Sequence, residues 1–142
     1  SLTHGLAHGT ALWPQDMAAL HAEGGANLSA LADDVAAAGI DCDLRLVGKT
    51  TLAVEPWQVA ALRDAADLAG RFGEDVTWQD AEEVRADVAS PPYLAGLRQR
   101  TGSGLLDPAR LAWGMAAEVE RRGGRVAEGT PVAPWHWRQF LR

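Results

Sequence analysis

The sequence has few cysteines, no long apolar run and no excess of basic residues, the features typical of disulfide-stabilised, membrane-spanning and nucleic-acid-binding proteins respectively. Cys42 is its one cysteine, so an intrachain disulfide cannot form. No apolar run approaches the roughly 20 residues that a spanning helix needs, and Ser1 opens no signal-peptide pattern. Thirteen basic residues stand against 19 acidic ones, which disfavours binding to duplex nucleic acid or anionic membranes. We therefore expect a soluble, cytoplasmic protein.

What is present is an ordinary globular composition. Of the 142 residues 47% are hydrophobic and 23% are charged, and a chain of this length should bury roughly two-thirds of its unfolded surface. We expect one domain over residues 1–132. The last ten residues, 133–142, differ in composition and form an aromatic C-terminal tail, which contains Trp135, His136, Trp137, Arg138, Phe140 and Arg142.

Apolar spacing and capping residues predict about four helices. A long one opens at Trp13-Pro14 and ends at Gly39, with a kink or close packing at Gly24-Gly25; residues 1–10 look like a loop. The clearest amphipathic helix runs from Pro56 to Phe72. The other two follow the N-caps Asp80 and Asp107, the first over residues 81–88 and the second up to Gly123-Gly124.

Between these helices the pattern predicts short strands. Cys42–Leu46 alternates apolar and polar residues, and a turn at Gly48-Lys49 would return it as the partner strand 51–54. Further strands are expected at residues 76–78, along an extended path through 93–100, and at 125–132. The fold class is therefore α+β, with a mixed or largely antiparallel sheet and the helices mostly on one face.

Two glycine- or histidine-bearing segments could suggest a ligand site. His4 and His8 have the spacing of zinc ligands, but Gly5 stands where the zinc proteases carry glutamate and a third ligand is not evident, so we predict no metal. Gly102–Asp107 resembles a dinucleotide-binding loop, yet Asp107 would put a carboxylate where a pyrophosphate must lie. A turn with a capping aspartate is favoured there.

Other reactive residue types fit structural roles. The acidic residues around Asp80 and Asp87 are typical of a solvated helix face, and Cys42 shares the apolar face of its segment. Arg98 and Arg100 could meet a carboxylate, although a solvent-facing edge is favoured. Residue types alone identify no catalytic residue.

A resemblance to a known family adds what spacing does not. In order and separation, seven blocks are similar to the middle region of FAD-dependent amine and amino-acid oxidoreductases, the glycine/D-amino-acid oxidase (DAO) family. Together with the first six residues they extend over about nine-tenths of the chain. The blocks are Ala38–Leu44, Gly48–Val54, Arg71–Gly73, Asp80–Arg85, Ser90–Leu97, Gly104–Leu111 and Glu128–Val132.

The resemblance implies the substrate-side domain of a flavoenzyme. Ser1–Leu6 resembles the segment that runs beside the flavin, which makes Thr3, His4 and Gly5 the flavin-proximal positions. The family's Gly-rich FAD-binding loop is not among the matched blocks, and hydride chemistry in such enzymes resides in the cofactor. The resemblance therefore implies a fragment or truncated form, inactive alone and binding no FAD by itself, whose intact enzyme oxidises a small amine or amino acid.

Two alternatives stay open at this point. A separate polypeptide could supply the flavin domain and complete the enzyme. The chain could instead be a stand-alone, non-catalytic binding or assembly module that docks on a second copy through exposed apolar surface and the aromatic tail.

Overall fold

The computed structural model describes residues 5–131. Thr3, His4 and the aromatic tail 133–142 lie outside the described residues, so the predictions made for them stay predictions. No helix within residues 5–131 is long and apolar enough to cross a membrane.

Five helices and three strands make up the described chain. The helices are α1 (Gly5–Leu12), α2 (Met17–Ala37), α3 (Pro56–Arg71), α4 (Ala81–Asp87) and α5 (Pro108–Arg121), and the strands are β1 (Lys49–Ala53), β2 (Val76–Gln79) and β3 (Ala95–Gln99). The α+β class with an antiparallel sheet is confirmed. The predicted elements that became α3, β2, α4 and α5 agree with the structure to within two residues at each end.

The sheet is antiparallel throughout, with β3 between β1 and β2. Leu97 on β3 lies opposite Thr51 on one neighbour and Trp78 on the other. Because β3 is central, its backbone is paired on both sides, and its residues 95–97 are buried. This strand is the centre of the domain.

The hydrophobic core lies between one face of the sheet and α3. Leu62 of α3 packs with Ala53, Ala95 and Leu97 of the two strands. At the rim, the guanidinium of Arg63 lies 3.6 Å above the ring of Trp78 and covers it, which is a favourable cation–π contact.

The opposite face of the sheet is covered at one end by α4. A Cβ atom on Gly96 would lie 3.1 Å from both Val84 of α4 and the amide oxygen of Gln79. Glycine at this position therefore lets α4 approach the central strand closely. Asp87, the last residue of α4, accepts hydrogen bonds from Gln79 and Arg98 and ties the helix to the sheet.

The predicted hairpin between residues 42–46 and 51–54 is wrong. Arg45 forms only an isolated bridge with Leu105, and β1 pairs with β3 instead. Gly48 is not in a hairpin turn but donates its N–H to the carbonyl of Ser103, and Lys49 is the first strand residue. Alternation of apolar residues gives the exposed and buried faces of a strand, but it does not name the partner strand.

The expectations for both ends of the domain also need correction. Residues 5–12 form α1 rather than a loop, and α1 packs against α2 and α3, because tertiary contacts outweigh the low helix propensity of its glycines. Pro14 lies between two helices and does not open one. The segment 125–131 forms no strand.

Gly24 and Gly25 do not interrupt α2, which is one helix of 21 residues. A Cβ atom on Gly25 would meet no heavy atom within 4 Å, so close packing does not explain this glycine.

Candidate functional site

A cavity of about 460 Å³ lies where α2 passes the ends of β1 and β3. We call it the α2 cleft. Its walls combine apolar side chains with a small set of charged and polar groups, of which His21, Lys49, Glu74, Gln99 and Arg100 carry the chemistry discussed below. A volume in this range suits a small-molecule ligand.

The central acidic group of the cleft is Glu74. Its Oε2 atom accepts a hydrogen bond from the side-chain amide of Gln99, and its Oε1 atom lies 3.7 Å from Nδ1 of His21. The side chain of Glu74 is 16% exposed and that of His21 is 30% exposed. The ring of His21 also meets Phe72 edge-on, at 5.4 Å between ring centroids. This carboxylate is therefore held in a defined position at the cavity wall.

Local structure explains why Glu74 points into the cleft. Gly73 has a φ of +73°, which ends α3 and turns the chain, and the N–H of Glu74 then caps the carbonyl of Ala69. The conformation favours glycine, because a β-carbon is strained there. The backbone carbonyl of Asp75, the next residue, accepts a hydrogen bond from the N–H of Arg100. This hydrogen bond holds the turn against the end of β3.

Two cations also line the α2 cleft. Arg100 is already paired with the side chain of Asp75, at 3.2 Å. Lys49 begins β1 directly opposite Gln99 in the strand register, and within residues 5–131 it forms no ion pair. Lys49 is therefore the cation available to a ligand.

The remaining wall is one face of α2. His21, Gly24, Gly25 and Leu28 recur at intervals of three and four residues, which places them on one side of the helix. With glycines at its centre, this side of the helix leaves the cleft open.

The residues named from the sequence are only partly brought together here. Gly5 begins α1 with a φ of +75° and borders the α2 cleft. Its proposed proximity to a flavin stays a prediction, as it does for Thr3 and His4. Arg98 is half exposed and paired with Asp87 outside this cleft, at 3.3 Å.

The remaining residues considered from the sequence have structural positions. Cys42 is a free, buried thiol, as expected. Asp80 caps α4 through the N–H groups of Glu82 and Glu83, and its own N–H donates to the Glu83 carboxylate. Within the described part of the chain no group of three or more His, Cys, Asp or Glu side chains could hold a metal ion.

Sequence reasoning missed His21, Lys49, Glu74 and Gln99. The one available signal was the helical spacing of His21 with Gly24 and Gly25, together with the presence of two adjacent glycines inside a helix. Nothing local connects Glu74 with Gln99, because their contact depends on how α3 and β3 are placed in the fold.

The loop before α5 does not fit a pyrophosphate. Asp107 accepts hydrogen bonds from the N–H groups of Ala109 and Arg110, at 3.0 and 3.1 Å, so its carboxylate already takes the donors that a phosphate would need. All three described strands are antiparallel, whereas a dinucleotide-binding unit needs parallel strands. The loop before α5 therefore lacks the arrangement of a dinucleotide-binding unit.

A second surface of interest is the apolar stripe of α5, which we call the α5 apolar face and define as Leu111, Ala112, Met115 and Val119. None of the residues of α5 is buried; Met115 is 53% exposed and Val119 is 45% exposed. The helix touches the rest of the chain elsewhere, where Gly114 lies against Ile40. Leu111 is partly buried, whereas residues 5–131 leave Ala112, Met115 and Val119 exposed.

Near the end of this helix, Glu118 accepts hydrogen bonds from the side chains of Arg121 and Arg122. These hydrogen bonds stabilise the ionised carboxylate and lower the pKa of Glu118 from 4.5 to about 2. The same pairing raises the pKa of Arg121.

Comparison with known proteins finds one family. The model of the family described as FAD dependent oxidoreductase (DAO) matches residues 1–138. No curated protein and no solved structure matches the chain at a significant level.

Proposed function

The chain belongs to the FAD-dependent oxidoreductase family, and we propose that it is the substrate-side part of an enzyme that oxidises small amines or amino acids. The family uses FAD. We propose that this chain binds no FAD by itself and is inactive alone, as a fragment or truncated form of the enzyme or as one half of a two-chain enzyme. A cytoplasmic location stays a prediction.

The observation that carries this proposal is the exposed α5 apolar face. Its side chains repeat at helical spacing, as in a helix that packs against another element. Burial of apolar surface stabilises a folded or associated state by roughly 25 cal/mol per Å². An exposed apolar stripe on a well-capped helix therefore indicates that another part of the enzyme packs against it. We propose that the flavin-binding part of the enzyme covers it.

The geometry around Asp107 also supports the proposal that another part of the enzyme binds FAD. A helix whose first N–H groups are taken by its own capping carboxylate has no free donors for a phosphate. The phosphates of FAD must then be held by other residues, in the part of the enzyme that we propose packs on α5.

The direct test of inactivity is an FAD titration of the purified 142-residue chain. We expect no stoichiometric binding by equilibrium dialysis and no bound-flavin spectrum. Tight one-to-one binding, or bleaching of the flavin on addition of an amine or amino acid, would contradict the proposal.

The test of the α5 apolar face needs the flavin-binding segment. If the adjoining coding sequence specifies a Gly-rich FAD-binding segment, that segment can be produced together with this chain. We expect the two to co-purify with FAD, and Met115→Glu to abolish association. Ala117→Glu, on an exposed side of α5 away from the stripe, is the matched control. Equal association of both variants would exclude the α5 apolar face as the contact.

A second candidate function is a non-catalytic assembly module that associates with a second copy of itself. It is favoured by the exposure of Trp113 and Leu105, at 72% and 58%, because large apolar side chains at a surface promote association. Size-exclusion chromatography of the full chain and of a version ending at Val132 tests the role of the aromatic tail. A dimer that becomes a monomer on truncation would support this function, and two monomers would oppose it.

A further inference from the structure

We propose that two copies of this chain associate through β1, with the β1 strand of one copy pairing antiparallel to that of the other. Two three-stranded sheets then join into one continuous sheet. The inference goes beyond the proposed function, because it does not involve FAD. It names an interface that is separate from the α5 apolar face and from the aromatic tail.

The β1 strand is an open edge of the sheet. Within residues 5–131 it pairs with β3 on one side and with no strand on the other. Lys49, Thr50 and Thr51, three successive residues of β1, are all exposed. Successive residues of a strand point to opposite faces, so this part of β1 is accessible from both faces. A further strand can therefore approach the edge.

The hydrogen-bond pattern shows which main-chain groups this edge presents. Arg100, which follows β3, donates its N–H to the carbonyl of Asp75, which precedes β2. Because the groups of an antiparallel strand point alternately to its two sides, even-numbered residues of β3 face β2 and odd-numbered ones face β1. The odd-numbered residues lie opposite odd-numbered residues of β1. The N–H and C=O groups of Thr50 and Leu52 therefore point outwards.

The charges near the ends of β1 favour an antiparallel partner with the same sequence. Lys49 begins the strand and Glu55 follows its end, and no other charged residue lies between them. In an antiparallel pair, Lys49 of each copy lies near Glu55 of the other, so the twofold symmetry forms this contact twice. Opposite charges on neighbouring strands stabilise their pairing, whereas a parallel pair would bring like charges together.

The other edge of the sheet, β2, does not offer the same pairing. Asp75 precedes β2 and Asp80 follows it, so antiparallel pairing of two β2 strands would bring carboxylates together. Each residue of β2 is also buried or partly buried. Like charges at a strand edge are a common protection against pairing. Of the two edges, only β1 has ends of opposite charge.

Exposed valines flank β1. The exposed fraction is 56% for Val47, which precedes the strand, and 40% for Val54, which follows it. Antiparallel pairing places the start of one strand beside the end of the other, so Val47 of each copy would cover Val54 of its partner. This burial of apolar surface adds to the main-chain hydrogen bonds that strand pairing provides.

The test measures the association and the amide exchange of the full 142-residue chain. Sedimentation equilibrium between about 10 µM and 1 mM should show a monomer–dimer equilibrium. Over the same range, hydrogen exchange followed by ¹⁵N NMR should slow at Thr50 and Leu52. Exchange should not change at Val76 and Trp78, whose N–H groups point outwards on β2 by the same alternation.

A main-chain variant tests the strand pairing. Thr50→Pro removes an outward N–H, and proline is tolerated on an edge strand where that N–H faces solvent. The variant should weaken the dimer about tenfold or more. Thr50→Val is the matched control, because it keeps the N–H and should leave the dimer at least as stable. Circular dichroism and the Tm check that both variants fold.

Charge variants test the direction of the pairing. Lys49→Glu and Glu55→Lys should each weaken the dimer about tenfold, because like charges then meet at both ends. The double variant restores opposite charges and should regain most of the native affinity. Glu55 is also the N-cap of α3. That cap is lost equally in Glu55→Lys and in the double variant, so the regained affinity reports the contact between copies.

The proposal is overturned if the chain is monomeric at about 1 mM, or if exchange at Thr50 and Leu52 does not depend on concentration. It is also overturned if folded Thr50→Pro dimerises as tightly as the native chain, or if the double charge variant stays as weak as Glu55→Lys. If Thr50→Pro does not fold, the exchange and charge measurements still decide.

Two further chains separate this interface from the others. The version ending at Val132 and Met115→Glu should both dimerise like the native chain. A dimer that either change abolishes, but that Thr50→Pro leaves intact, would place the contact elsewhere and overturn the proposal. No flavin enters these measurements, so their failure is distinct from a failure of the proposed function, which the FAD titration tests.

Discussion

Helices α3 and α5 begin alike and end in different surroundings. Each has an acidic N-cap followed at once by proline, Glu55-Pro56 in α3 and Asp107-Pro108 in α5, and each carries an arginine in its last turn. Both also show an apolar stripe. Local sequence therefore specifies two helices of the same type.

Only α3 buries its stripe. Leu62 is buried against the sheet and Ala69 is also buried, whereas no residue of α5 is buried. The difference teaches that capping and periodicity determine where a helix forms, while a separate surface decides whether its apolar side is covered. For α5 that surface is absent from residues 5–131.

The largest expected effect on stability comes from a substitution on the buried side of α3, compared with one on the exposed side of α5. Leu62→Ala should lower the free energy of unfolding by about 3 kcal/mol, because it removes buried methyl groups and leaves a cavity. Met115→Ala in α5 should change it by less than about 0.5 kcal/mol. Urea denaturation of both variants measures the difference, and a comparable loss in both would mean that the α5 apolar face is covered.

The second effect concerns the N-cap of α5. Asp107→Ala should cost about 1 kcal/mol, because the N–H groups of Ala109 and Arg110 lose their acceptor. Since α5 has little packing to hold it, we expect faster amide exchange across α5 while α3 is unaffected. Asp107→Asn keeps an acceptor and is the control; exchange that rises equally in α3 would show that the two helices are one cooperative unit.

The smallest effect is the pH dependence of α5. The pKa of Glu118 is lowered from 4.5 to about 2, so its contribution to stability is present above about pH 4.5 and is lost as the pH falls towards 2. The stability difference between the native chain and Glu118→Gln should therefore shrink over that interval. A carboxyl titration of Glu118 by NMR that gives a midpoint near 4.5 would contradict the pairing with Arg121 and Arg122.

Local signals predicted much of the fold. The capping aspartates at 80 and 107 and the proline at 56 each marked a helix that the structure contains. The strands predicted at residues 51–54 and 76–78 are present, but the first was paired with the wrong segment, because the partner of Thr51 is Leu97, far along the chain. The sequence predicts a loop over residues 1–10 and misses α1, because the contacts of α1 with α2 and α3 have no local signature.

The candidate site and the function also depend partly on local sequence signals and partly on contacts between distant segments. By itself the sequence determined the positions of α3, α4 and α5, the fold class and, through the order of its blocks, membership of an FAD-dependent oxidoreductase family. Tertiary structure alone brought His21 and Gln99 to the carboxylate of Glu74, and it alone left most of the α5 apolar face exposed within residues 5–131. Helix caps, turns and helical periodicity are determined by residues that are close in the sequence. A cleft and an exposed apolar surface depend on how distant segments of the chain pack.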